Sequence, residues 1–291
     1  MTVQDEGRRR HRSAGVPRSG AMDWLAYARA NALLGNAPGE AALECALGGL
    51  TIRFAAHASF AITGAAVDAE LGGKLVANDC AISALPGEEL TIKAIISGRF
   101  YYLGFGGGID APAVLGSRST YSLGSFGGWH GRKIERTDTL PLGRGGTVTG
   151  KRETGFATES YRRERIRVLR CNQTALFAPH IWRTLMDGPF QIGAASDRTG
   201  YRIEGVRLSH DVAEQRSEPA CPGAIQLPRD GQPIVLMADG PTIGGYPRIA
   251  VVITADLPAL SQKRPGEGLS FAEATIDEAA DALRSLAVAR T

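Results

Sequence analysis

Cysteine is sparse and scattered in this 291-residue sequence. Cys45, Cys80, Cys171 and Cys221 form no C-x-x-C pair, which excludes zinc ribbons and dithiol redox motifs and predicts free thiols. Histidine is equally thin: His11, His57, His130, His180 and His210 show no H-E-x-x-H and no close ligand spacing, so no metal is expected. Lysine occurs only at positions 74, 93, 133, 151 and 263, never between methionines, so no covalent biotin is expected on this chain. Charge of one sign is missing as well. The 33 Lys and Arg against 30 Asp and Glu leave +3, too little for a nucleic-acid footprint. No stretch approaches the roughly 18 consecutive apolar residues of a membrane span. Met1-Thr2-Val3-Gln4-Asp5 lacks the basic-then-apolar start of a signal peptide. A cytoplasmic protein with neither membrane nor nucleic acid as partner is the expectation.

What is abundant is glycine, 37 of 291 residues, against a usual share of about 7%. It falls between apolar runs, the pattern of short strands joined by tight turns. The fold class expected is therefore β-rich α+β with a few short helices. Asp23 caps a first helix whose apolar face, Leu25, Ala28, Ala32 and Leu33, runs to Gly35-Asn36 and predicts a short amphipathic element. Strands are expected at 50–54, 59–63, 89–96 and 99–105. Residues 143–164 lose apolar periodicity and end in Arg162-Arg163-Glu164-Arg165, the best linker. A second block reads strand (166–169), helix from Pro179, then strands at 224–227, 234–237 and 249–254. Thr275-Ile276-Asp277-Glu278 opens a last helix as a capping box. The layout is two β-barrel subdomains, 1–145 and 165–291, around a linker at 146–164. Pro86-Gly87-Glu88 and Pro265-Gly266-Glu267, each a turn before a strand, hint at duplicated architecture.

Two motifs come close to familiar nucleotide loops. Gly145-Gly146-Thr147-Val148-Thr149-Gly150-Lys151-Arg152 nearly spells a phosphate loop, but Arg152 replaces the magnesium-binding hydroxyl and no strand or helix frames it. Leu103-Gly104-Phe105-Gly106-Gly107-Gly108 is followed by Pro112 and reads as a strand-ending turn. No Gly-x-Ser-x-Gly elbow is present.

Polar residues gather where glycine and proline interrupt apolar strands: Ser19 and Asp23; Ser117, Arg118 and Ser119; Ser196, Asp197 and Arg198; Gln226, Gln232, Asp239, Thr242, Tyr246 and Arg248. Loops on a rigid β scaffold are where ligands bind. Arginine there can fork onto a carboxylate or phosphate, and Gln and Asp can read an amide.

These segments together resemble the carboxyltransferase-domain A/B family, whose members are also described as allophanate hydrolase subunit 2, as KipA-like, or as the C subunit of 5-oxoprolinase. The likeness is carried by Gly15-Val16-Pro17, Ser19-Gly20-Ala21-Met22-Asp23, Gly107-Gly108-Ile109-Asp110, Leu115-Gly116-Ser117-Arg118-Ser119, Ser196-Asp197-Arg198, Gly223-Ala224-Ile225-Gln226, Asp230-Gly231-Gln232-Pro233 and Gly244-Gly245-Tyr246-Pro247-Arg248. Where members often read Ala-Asp-Arg-Gln-Thr-Thr-Gly-Gly-Tyr-Pro, this chain has Gly240-Pro241 in place of the Arg-Gln pair.

The resemblance implies two cyclophilin-like β-barrel subdomains. It also implies two partner proteins, a KipI-like one (the B component) and one of the lactam-utilisation type (the A component). The leading activity implied is the C-type role in an ATP-dependent 5-oxoprolinase, a hydrolase of a small amide or lactam in which ATP serves the complex. The alternatives are a biotin-dependent urea or amide carboxyltransferase and a KipA-like regulatory binding module. In the leading reading Asp239, Arg248 and Arg198 are catalytic, the arginines neutralising developing charge and Asp239 handling a proton or orienting the amide. Gln226, Gln232, Thr242, Tyr246, Ser19 and Arg118 bind substrate.

Overall fold

The structure is a computed structural model that describes residues 1–145, 148, 161 and 163–288. The chain divides into two compact units. The first holds Met1–Arg9 and the described part of Ser19–Phe156, and the second holds Arg10–Arg18 and the described part of Ala157–Val288. Arg10–Arg18 groups with the second unit through Arg12, which donates to the carbonyls of Ala220 and Pro241. Apart from Val148, Tyr161, Arg163 and Glu164, the linker expected at 146–164 lies outside the described residues, as does most of Gly145–Arg152.

The first unit contains β1 (Thr2–Gln4), α1 (Trp24–Leu34), β2 (Ala42–Cys45), β3 (Leu50–Arg53), β4 (Ala58–Leu71), β5 (Lys74–Leu75), β6 (Ala81–Ala84) and β7 (Glu89–Phe105). They make a seven-stranded sheet in the order β1-β2-β7-β4-β5, with β3 on β7 and β6 on β4. The sheet is not closed, which corrects the expectation of a barrel in this half. Its backbone is the long antiparallel pair β4 and β7, which the sequence suggests as three separate strands. Gly64 pairs with Tyr101 and Ala66 with Ser97, so residues 98–100 bulge opposite Ala65 and the ladder continues on either side. A bulge bends a strand without ending it.

Phe54, Phe60, Ile62, Leu90, Ile92 and Leu103 fill one face of this sheet, with Phe54 and Phe60 stacked at 5.4 Å. Helix α1 covers β4 and β7 on the other. Gly104 leaves room for Ala30 and Leu34, each of which a Cβ there would meet at 3.0 Å. Asp23 accepts from the Ala26 N–H at 2.9 Å, the cap its position predicts. The helix is buried nearly all round rather than on one stripe: Arg29 pairs with Asp79 at 2.5 Å and Asn31 donates to the Glu40 carbonyl, so even its polar side is internal.

The second unit contains β8 (Arg165–Arg170), α2 (Pro179–Asp187), β9 (Phe190–Ile192), β10 (Gly200–Gly205), β11 (Glu218–Pro219), β12 (Ala224–Gln226), β13 (Ile234–Leu236), β14 (Ile243–Gly244), β15 (Arg248–Val252), α3 (Leu257–Ser261), β16 (Gly268–Glu273) and α4 (Ile276–Val288). Seven of its strands close into a barrel in the order β10-β13-β12-β15-β8-β16-β9, as expected for this half, while β11 and β14 form a separate two-stranded ribbon. The one parallel contact among the described residues, β8 with β16, lets the last strand complete the ring. Ile166, Val168, Tyr201, Ile203, Ile225, Val235, Ile249 and Phe271 are buried within it. Arg167 grips the buried Asp256 through Nε at 3.0 Å and Nη2 at 2.6 Å. Arg163, at the end of the expected linker, lies 3.8 Å from the same carboxylate.

The two Pro-Gly echoes are the same turn: Glu88 N–H donates to Leu85 and Glu267 N–H to Arg264, with Gly87 and Gly266 at positive φ. The likeness stops at the turns, because one half is an open sheet and the other a closed barrel.

Candidate functional site

The barrel register sorts the expected residues of the second unit into two groups. Gln226 pairs with Ile234 on one side and Arg248 on the other, so Gln226, Arg248 and, two residues before Ile234, Gln232 share one end of the barrel strands. Gly200 pairs with Leu236, so Arg198 and Asp239 lie at the opposite end of β10 and β13.

At that opposite end the Arg198 guanidinium forks onto Asp239, Nε to Oδ2 at 2.7 Å and Nη2 to Oδ1 at 3.0 Å. The backbone closes the same pair, the Asp239 N–H donating to the Arg198 carbonyl at 2.9 Å. Two-point charge-assisted contacts of this kind are strong and directional. Asp239 is 7% exposed, so it presents little surface while the fork is closed.

At the Gln226 end, Arg248 is held from three directions. Its N–H donates to Gln173 Oε1 at 2.7 Å, its Nη2 to Glu218 Oε2 at 2.6 Å, and its Nη1 to the Pro219 carbonyl at 3.2 Å. Gln173 Nε2 donates to the same Glu218 oxygen at 3.0 Å. Thus both arginines expected to neutralise a substrate already carry a carboxylate. Gln173 and Glu218 escape sequence reading. Their neighbourhoods, Asn172-Gln173-Thr174 and Ser217-Glu218-Pro219, read as ordinary turns, and only the pairing of β8 with β15 and of β11 with β14 brings them to Arg248.

Gln226 differs from these. It is 5% exposed, and its carboxamide makes no hydrogen bond to a described residue. The ribbon strand β14 lies against it: a Cβ on Gly244 would stand 2.5 Å from Gln226 Nε2, so only glycine admits this approach. Gln232 is half-buried, its N–H on Asp230 Oδ1 at 3.0 Å and its Oε1 buried without a partner among the described residues. Thr242 accepts the Ala220 N–H through its carbonyl at 3.0 Å. Tyr246 is exposed.

Ser19 and Arg118 belong to the first unit. Ser19 sits at φ 55°, a left-handed backbone unusual for serine, and its Oγ is buried without a partner among the described residues. Such strain is characteristic of ligand-binding positions. The Arg118 N–H donates to Asp5 Oδ2 at 2.6 Å and its Nε to the Ala111 carbonyl at 2.9 Å. Asp5 also accepts from Ser117 Oγ at 2.6 Å and Ser119 Oγ at 2.5 Å, a buried hub that fixes this loop. Among the described residues no group of three His, Cys, Asp or Glu could hold a metal ion, and no helix is long and apolar enough to cross a membrane.

The chain is similar over nearly all its length to two curated proteins. It is 38% identical to the C subunit of 5-oxoprolinase from Escherichia coli (strain K12) over 288 residues, covering 96% of this chain and 89% of that one. It is 36% identical to the C subunit of 5-oxoprolinase from Haemophilus influenzae over 280 residues, covering 96% and 90%. Among solved structures, the K. lactis urea amidolyase superposes with a TM-score of 0.89 at 27% identity over 99% of this chain, which spans only 19% of that much longer protein. The family model for the carboxyltransferase domain, subdomain A and B, matches residues 14–273. The open sheet, the closed barrel and the loops between their strands are therefore those of a member of the carboxyltransferase domain, subdomain A and B, family, to which this chain belongs.

Proposed function

We propose that this chain is the C-type component of an ATP-dependent 5-oxoprolinase, which opens 5-oxoproline to glutamate, and that it works with a KipI-like protein and a protein of the lactam-utilisation type. The observation that supports this is the 38% identity to the C subunit of a 5-oxoprolinase across 96% of this chain and 89% of that protein. In a lactam the nitrogen lone pair is delocalised into the carbonyl, so water adds only once the carbonyl is activated. Hydrolysis then places the water oxygen in a new carboxylate, breaks the C–N bond and leaves a proton on the freed amine.

In this reading Gln226 and Gln232 hydrogen-bond the lactam amide, with Thr242 and Tyr246 beside them. Arg248 offsets negative charge at that end of the barrel; Arg198 and Asp239, forked onto each other at the opposite end of β10 and β13, do not reach the same small lactam and are left out of this set. Because Glu218 occupies Arg248, a substrate carboxylate binds there by displacing Glu218, whose half-exposed carboxylate is then hydrated by water.

ATP, in this reading, supplies phosphoryl activation of the carbonyl oxygen, with ADP leaving at that transfer and inorganic phosphate leaving after water has added. Among the described residues the N-termini of α1, α2 and α4 do not fit its phosphates: α1 is capped by the Asp23 carboxylate, α2 opens on Pro179, and the first turn of α4 carries Asp277 and Glu278. In this proposal ATP serves the complex, and none of the residue roles above depends on which chain holds it. The cyclophilin-like character of the barrel is part of the same proposal.

The test is to purify the chain with and without its KipI-like and lactam-utilisation-type partners and assay ATP-dependent opening of 5-oxoproline. Activity that arises only on mixing, with comigration on a sizing column, supports the reading; full turnover by the isolated chain sinks it. A second reading has its own support in the superposition on urea amidolyase, a carboxyltransferase acting on urea or another small amide. Carboxylation of urea from carboxybiotin, without lactam opening, would favour that one.

A further inference from the structure

The first unit contains a cavity of about 390 Å³ between the end of α1, the Gly106–Gly108 turn and the segment 143–145. That volume lies in the range of small-molecule sites, roughly 300–1,000 Å³. Its floor is stiff. Asn36 donates to Asn31 Oδ1 and to the Phe105 carbonyl, both at 2.8 Å, and accepts the Gly107 N–H at 2.8 Å, tying the helix end to the glycine turn.

Four charged side chains line the cavity: Arg118, Arg144, Glu40 and Asp110. Arg118 Nη2 stands 3.7 Å from Asp110, too far for a hydrogen bond. Arg144 forms no ion pair and no hydrogen bond with a described residue, and the Glu40 carboxylate accepts none; it rests over Gly108, where a Cβ would meet Oε2 at 2.8 Å.

This charge set discriminates among ligands. A phosphate would face two carboxylates and the C-terminal end of α1, whose carbonyls carry partial negative charge. A simple cation would face two guanidinium groups. A dipolar ion satisfies both sets at once, with its carboxylate on Arg144 and Arg118 in forked geometry and its ammonium on Glu40, Asp110 and the helix end. We propose that this cavity is a binding site for a small α-amino acid in its zwitterionic form, a site separate from the lactam-reading residues of the barrel and independent of their assignment.

Isothermal titration calorimetry on the purified chain tests this with L-glutamate and L-alanine as zwitterions, N-acetyl-L-glutamate lacking the ammonium, putrescine lacking the carboxylate, and inorganic phosphate. The expected result is saturable binding of at least one of the two amino acids and none of the other three. Arg144→Ala and Glu40→Gln should each weaken it tenfold or more, with unchanged circular dichroism. No binding by either amino acid, phosphate binding as tight as theirs, or amino-acid affinity unmoved in both variants would overturn the proposal. Because the readout is binding to the isolated chain, its failure leaves lactam opening by the assembled complex untouched, and the reverse holds.

Discussion

Gln173 and Arg248, 75 residues apart, are locked together by a backbone-to-side-chain hydrogen bond of 2.7 Å, and the other end of the same carboxamide holds Glu218, the partner of the arginine side chain. One buried amide thus sets both the strand position and the guanidinium direction of Arg248. Gln173→Ala should raise KM for lactam opening by the assembled enzyme roughly tenfold with a smaller change in kcat, and cost about 1–3 kcal/mol of stability from the orphaned groups. Steady-state kinetics beside urea denaturation check both.

Arg248→Ala should abolish turnover of the assembled enzyme without unfolding it, because no other residue type reproduces a forked contact. Arg163, which faces Asp256, is no neutral comparison. Arg284→Ala is, since its ion pair with Asp281 is solvent-exposed on both sides and such pairs contribute about 0–1 kcal/mol. Equal activity of the Arg248 and Arg284 variants would remove Arg248 from the site.

Gly244→Ala places a methyl 2.5 Å from Gln226 Nε2, so the carboxamide or the ribbon must move. The expected outcome is a several-fold rise in KM with little change in melting temperature. Gln226→Leu should raise KM comparably, because it removes the amide that Gly244→Ala displaces; unchanged KM in both would separate this end of the barrel from substrate.

Asp256→Ala removes a fully buried carboxylate from the Arg167 guanidinium and backbone N–H. Breaking one partner of a buried pair costs about 3–5 kcal/mol. Urea unfolding should show that loss, whereas Asp281→Ala should show almost none.

Burial pushes the Cys45 thiol up to about 12, from an ordinary 9.0. Burial first, and then Glu44, likewise raise the Tyr102 phenol well above its usual range. Both groups are raised in the fold, so their contribution to stability is intact below the unfolded values and is lost as pH rises through 9 towards 12. Each titrating group contributes a decline of about 1.4 kcal/mol per pH unit at most. Unfolding free energies at pH 8, 9 and 10 should fall in that order. A thiol reagent at pH 8 should label exposed Cys221 readily and leave buried Cys45 unmodified until the protein unfolds.

Local chemistry made much of this protein legible. Asp23 before an apolar run, Pro179 at a first turn and Thr275 with Glu278 define helix starts, because capping joins residues within one turn. The Glu278 N–H on Thr275 Oγ1 and the Thr275 N–H on Glu278 are the reciprocal bonds that spacing implies. Apolar runs likewise mark the strands that β8, β12, β13 and β15 become, since a strand buried in a barrel core needs them.

What stayed hidden depends on partners far along the chain. Nothing near Gly98 says that 89–96 and 99–105 continue as one strand, because that is decided by β4 absorbing the bulge opposite Ala65. Nothing near residue 100 says that the first sheet stays open, since closure depends on whether two edge strands meet. The polar loop residues Gln226, Asp239, Arg198 and Arg248 were readable as a class, because glycine- and proline-broken strands expose them. Their division between two ends of the barrel, and the capture of both arginines by Asp239 and Glu218, follow from strand register. A side chain's chemistry is written in the sequence; the neighbour that satisfies it is chosen by long-range pairing, and here only the tertiary structure made that choice.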